Sequence, residues 1–122
     1  MRCVERTESS DGATIFRAVD RKRVLSEVRD WAERQKRSHS EILRIGAFGS
    51  YARGDVAPGS DVDLLVLVTD SDEPRWYMRA TAFDTSILTV PADVFVYTEA
   101  ECERMAQSNC WMRHVLSEII WV

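Results

Sequence analysis

The sequence predicts an α/β (α+β) domain, a small mixed β-sheet with helices packed on it. Three observations carry that expectation. Asp61–Val68 reads DVDLLVLV, opening with alternation and then running continuously apolar, as a central strand buried on both faces does. Two further apolar runs of strand length, Ile42–Phe48 and Ala92–Thr98, are separated from it by turn and helix signals. The length, 122 residues, suits one domain and leaves little room for a second, while still allowing a core without staples.

Taken in order, residues 1–14 read as a flexible tail, with one domain over 15–122. From Val19 to Arg37 the pattern is helical, with Val24, Leu25, Val28, Trp31 and Ala32 on one stripe. Ile42–Phe48 is a strand running into the Gly49-Ser50 turn. Residues 51–60, YARGDVAPGS, hold Gly54, Pro58 and Gly59 and form a loop. After the strand Asp61–Val68 comes a polar break, TDSDEP. Pro74 then opens an expected helix over Arg75–Leu88. Pro91 leads into the strand Ala92–Thr98. Thr98 with Glu101 makes a capping box for a helix over Glu99–Gln107. A last helix is expected near Asn109–Glu118. The closing IIWV is too short for periodicity to assign. Ile42–Phe48 and Asp61–Val68 should be neighbours, with Ala92–Thr98 beside the second.

Composition narrows the function classes. A net charge of −4 argues against broad affinity for nucleic acid, which calls for a basic surface. It leaves a nucleotide open, because metal ions can carry a triphosphate into an acidic site. Cys3, Cys102 and Cys110 form no CxxC pair and are odd in number, so they read as reduced thiols in a cytoplasmic protein. The N-terminus is polar and charged, unlike a signal peptide, and no apolar run is long enough to span a bilayer. Eight of the 16 basic residues fall between Arg17 and Arg37. That segment is either a solvated helix face or a docking surface for an acidic partner.

The chemistry-bearing residues lie around the second strand. Asp61 and Asp63 are two apart, so their carboxylates leave one face while Val62 and Leu64 leave the other. Two such carboxylates repel and raise each other's pKa unless a cation lies between them. Mg²⁺ suits that place, since it takes carboxylate oxygens together with substrate phosphates. Gly49-Ser50 ends the preceding strand. Glycine allows close backbone approach, and exposed N–H groups in such a turn cradle phosphate oxygens. Asp93 leads an apolar strand and needs a partner. It either caps the turn after Pro91 or completes a three-carboxylate cluster. Together these make GS-x10-DxD, a spacing expected by chance on the order of once in several hundred chains of this length.

GSYARGDVAPGSDVDLLV (49–66) resembles the signature of the minimal nucleotidyltransferases of the DNA polymerase β superfamily: GS-x-A-R-G, a short loop, S-D-x-D-L, and a third carboxylate on a later strand. PADVFVYTEAECERM (91–105) is similar to their third-carboxylate segment and following helix. The resemblance implies a polymerase-β-like fold and a Mg²⁺-dependent enzyme that moves a nucleoside monophosphate from an NTP, ATP by expectation, to a hydroxyl acceptor. It implies that Asp61, Asp63 and Asp93 hold two Mg²⁺ ions. Asp93 would also help the acceptor hydroxyl lose its proton. Gly49 and Ser50 would grip the β- and γ-phosphates. Ser60 would join the nucleotide-binding set, and Arg53 would either contact phosphate or brace the loop.

Three readings stay open, two of them differing in the acceptor. One is a partner protein, as in pairs of a HEPN toxin with a minimal nucleotidyltransferase antitoxin. Another is a small molecule of the aminoglycoside kind, with the site completed in a homo-oligomer. The third alternative is a non-catalytic interaction module, against which the intact Ser50, Asp61, Asp63 and Asp93 argue. Arg34 to His39 spells R-x4-H, the spacing of the HEPN nuclease motif, and is read as coincidence. His114 reads as a packing or surface residue. Trp31, Trp76, Trp111 and Trp121 read as core or interface anchors, with Trp76 and Tyr77 also candidates to stack on a base.

Overall fold

The computed structural model describes residues 11–57 and 60–122. Its sheet has four strands in the order β3-β2-β1-β4. These are β1 (Ile42–Phe48), β2 (Val62–Val68), β3 (Ala92–Thr98) and β4 (Ile120–Trp121). β1 runs antiparallel to β2 and β4, and β2 runs parallel to β3, so the sheet is mixed as expected. The three longer strands fall where the sequence placed them, to within one residue.

Pleat alternation sorts β2 between two helical layers. Val62, Leu64, Val66 and Val68 face the long helix α1 (Asp11–Ser38), whose Val24, Val28, Trp31 and Ala32 are buried against them. Leu65 and Leu67 face the other layer, α4 (Glu99–Ser108) and α5 (Cys110–Glu118), through Cys102, Met112 and Val115. Each large apolar side chain buried this way contributes about 1.5–3 kcal/mol. Asp63 shares the pleat face of Leu65 and Leu67, so it points toward the α4–α5 side.

Helix ends follow from local chemistry. Thr98 and Glu101 form the expected capping box, with Glu101 N–H donating to Thr98 Oγ1 at 3.1 Å and Thr98 N–H to Glu101 Oε1 at 2.9 Å. Asn109 Oδ1 caps α5, accepting from the amides of Trp111 and Met112. Glu101 does a second job. Its two carboxylate oxygens hold the buried guanidinium of Arg79 at 2.6 and 3.0 Å, and Arg79 also donates to the carbonyls of Glu73 and Val96. That fork, foremost, and the capping hydrogen bonds from Thr98 together hold Glu101 down at about 2, against burial.

Three elements differ from the sequence-based expectation. The first helix begins at Asp11 rather than Val19. Residues 1–10 of the expected tail lie outside the described residues. The helix expected over Arg75–Leu88 is cut short. Only α3 (Trp76–Arg79) and a 3-10 turn at Ala80–Ala82 form. Asp84 there bonds the Ser86 amide at 2.9 Å, and Leu88 N–H closes a turn onto Thr85. Such short polar side chains compete with helix by bonding nearby backbone. Finally, residues 50–53, expected as loop, form one helical turn, α2 (Ser50–Arg53). The IIWV segment supplies the two-residue β4, paired with Gly46 and Ala47.

Candidate active site

Gly49 ends β1 with φ 78 and ψ −148, a region that side chains other than glycine's scarcely enter. A Cβ there would also run into Asp63 Oδ2. The backbone conformation is what calls for glycine, and a side chain there would in addition push the Asp63 carboxylate aside. Gly49 C=O accepts from Ala52 and Arg53, and Ser50 C=O from Gly54 and Asp55, which winds α2 directly off the strand. Arg21 of α1 donates to the carbonyls of Tyr51 and Ala52 at 2.9 and 3.4 Å and fixes that turn from behind.

Asp93 and Asp61 lie close enough to Asp63 for their charges to act on it. Asp63 and Asp93 are register partners on the parallel strands β2 and β3, so they leave the same face side by side. Asp61 precedes Asp63 by two residues. Asp63 is half-buried and its carboxyl is pushed up to about 6. Burial is the largest cause, followed by the negative charges of Asp93 and Asp61, with Arg53 opposing. Among the described residues no three acidic, histidine or cysteine side chains are set to hold a metal ion as they stand. Asp61 and Asp93 are exposed, so side-chain rotation can carry them toward Asp63. The donors are all oxygen and mutually repelling, a set that suits a hard divalent cation and not zinc.

A cavity of about 290 Å³ opens beside this cluster, lined by Gly49, Ser50, Arg53 and Asp63 on one side and Trp111, His114 and Glu118 on the other. The second group comes from α5, which the sequence did not implicate. Trp111 packs on Phe48 and Phe95. Glu118 Oε2 accepts the Gly49 amide at 2.6 Å, and Arg53 Nη1 reaches its two oxygens at 3.1 and 3.3 Å. Arg53 also bonds Asp55, so both of its anionic neighbours hold its charge in place, Glu118 foremost. A larger cavity, about 590 Å³, lies at the far end of the sheet. Its lining includes Glu41, Asp70, Asp72 and Glu73, and its arginine, Arg79, is committed to Glu101; a triphosphate would be repelled there.

Ser60 takes a structural place. Its hydroxyl accepts the Ala57 amide at 3.1 Å and its carbonyl accepts the Tyr51 hydroxyl at 3.2 Å, which closes the loop before β2. Tyr77 is exposed near the carboxyl ends of β2 and β3, where neighbouring Arg79 binds Val96. The side chain of Trp76 lies outside the described residues. Trp31 is fully buried and donates to Asp84 C=O, a core anchor as expected. His39 packs on Phe83 and faces Glu41, a structural setting for the R-x4-H spacing.

A glycine turn at a strand end, facing paired carboxylates on the next two strands, defines a nucleotidyltransferase-type fold. The match to the nucleotidyltransferase domain family covers residues 28–117, and the chain belongs to that family. It is similar to the bifunctional uridylyltransferase/uridylyl-removing enzyme of Burkholderia vietnamiensis, 33 % identical over 78 residues, which are 62 % of this chain and 9 % of that protein. The Pseudomonas putida enzyme of the same description is 28 % identical over 82 residues, 66 % of this chain and 8 % of the relative. The chain therefore spans about a tenth of the length of these relatives. A crystal structure of a candidate nucleotidyltransferase from Sulfolobus solfataricus shares the fold, with TM-score 0.63 and 22 % identity over 86 % of this chain and 84 % of that one. Among the described residues no helix is long and apolar enough to cross a membrane.

Proposed function

We propose that this domain transfers a nucleoside monophosphate, with AMP first among the four, from an NTP to a hydroxyl of an acceptor. The observation that carries the reading is the meeting of the Gly49 turn with the Asp63–Asp93 register pair. Asp61, Asp63 and Asp93 would hold Mg²⁺. The ion, when bound, supplies neutralisation of the charge on the phosphates. The Gly49 amide, Ser50 hydroxyl and Arg53 guanidinium line the same cavity and are suited to grip the β- and γ-phosphates, so that pyrophosphate leaves in a fixed direction. Asp93, exposed near the start of β3, would accept a proton from an incoming hydroxyl. A partner protein of the HEPN kind is the acceptor most in keeping with a small domain of this family.

The similar Burkholderia and Pseudomonas enzymes are uridylyltransferases, so the test uses all four nucleotides. Each α-³²P-labelled NTP is incubated with Mg²⁺, the protein and a lysate of its source organism. Label should pass from at least one NTP to an acceptor, and γ-label should not. Asp61→Ala and Asp63→Ala should lose nearly all transfer, and Ser50→Ala less, because a neutral hydrogen bond to phosphate contributes only about 1–3 kcal/mol. Transfer of γ-label would mark a kinase. Tight partner binding without transfer from any NTP would mark a non-catalytic module.

A further inference from the structure

The corner that would hold the terminal phosphates already contains a carboxylate of the chain's own. Glu118 is the last residue of α5, and its side chain is only 12 % exposed. It takes the Gly49 amide at 2.6 Å and the Arg53 guanidinium at 3.1 Å, with His114 Nε2 a further 3.2 Å contact one helical turn back. A backbone N–H in a glycine turn beside an arginine fork recognises carboxylate and phosphate oxygens alike. Glu118 also adds a negative charge beside Asp63, where two carboxylates already crowd it.

We propose that Glu118 is an internal anion that competes with the nucleotide's terminal phosphates for Gly49 N–H and Arg53, and so sets nucleotide affinity. This rests on the nucleotide reading above. The bonds that hold the following segment do not involve the carboxylate: Ile119 N–H donates to Val115 C=O, and β4 pairs with Gly46 and Ala47. An acceptor or partner that draws the end of α5 outward would then favour nucleotide binding.

Calorimetry with inorganic tripolyphosphate and with Mg-ATP tests this. Glu118→Gln keeps the shape and Glu118→Ala removes it; both should bind at least about tenfold more tightly than the natural protein, the worth of one charge-assisted hydrogen bond released. Asp55→Asn controls for charge alone. It also removes an anion from Arg53 but leaves the Gly49 amide engaged, and should gain about twofold at most, as exposed pairs do. In the natural protein, the Gly49 amide proton and the Glu118 side-chain carboxyl resonance should shift together on titration with tripolyphosphate. Equal or weaker binding by the Glu118 variants, with the natural protein binding, overturns the competition and leaves the nucleotide reading intact. A Gly49 shift with Glu118 unmoved does the same. Binding by no form, at millimolar ligand, overturns the nucleotide reading and this proposal with it.

Discussion

Asp63→Asn should stabilise the metal-free protein at neutral pH. Asp63 titrates at about 6 in the fold, against an ordinary 3.8, because burial and the charges of Asp93 and Asp61 disfavour its ionised form. Its folded pKa is raised, so its contribution to stability is fully present below the unfolded value of 3.8 and is lost as pH rises through about 6. The full difference corresponds to about 3 kcal/mol at neutral pH; solvent screening of a half-buried group lowers this to the order of 1 kcal/mol. For a domain of this size that is about 3–5 °C in Tm. Thermal unfolding in EDTA, from pH 4 to pH 8, compares the two forms. The advantage of the variant should be smallest at pH 4, grow to pH 6 and then level off. Millimolar Mg²⁺ at pH 7 should raise the Tm of the natural protein by linkage and leave Asp61→Asn with Asp63→Asn unmoved. A variant no more stable than the natural protein at pH 7, or an advantage that does not change across pH 4–6, would refute the crowding of Asp63.

Two further substitutions probe the frame around the site. Gly49→Ala places a Cβ against Asp63 Oδ2 at a positive φ, and should cost about 2 kcal/mol or more in chemical denaturation as well as abolishing transfer. Arg79→Met strands Glu101 and should cost about 3 kcal/mol. Because Arg79 holds Glu101 down to about 2, the natural protein keeps this stabilisation above pH 4.5 and loses it as pH falls toward 2. The variant should show a smaller acid-side loss, the part due to the Thr98 cap, and a loss of equal size in both forms would show that the fork is not its source.

The sequence by itself determined what depends on short spacing. The alternation from Val62 to Leu65 puts Asp63 on the face opposite Val62 and Leu64 whatever surrounds the strand, because the β pleat repeats every two residues. The apolar run after Asp63 demanded layers on both sides, and α1 and α4–α5 supply them. Thr98 with Glu101 announced a helix start within four residues, and the capping box is there. Arg75–Leu88 misled because its apolar residues are compatible with helix while Asp84, Thr85 and Ser86 make turns of their own. The register that sets Asp93 opposite Asp63 was an expectation that only the sheet could decide, since pairing between strands thirty residues apart leaves no periodic trace. Glu118 was wholly hidden. It lies 69 residues from Gly49 in the chain and reads there as one more charge at a helix end. The packing of α5 across β1, with Met112 and Val115 in the core, carries that carboxylate into the corner lined by Gly49, Ser50 and Arg53. Local spacing encodes which side chains share a face, whereas long-range packing of apolar surfaces decides which faces meet.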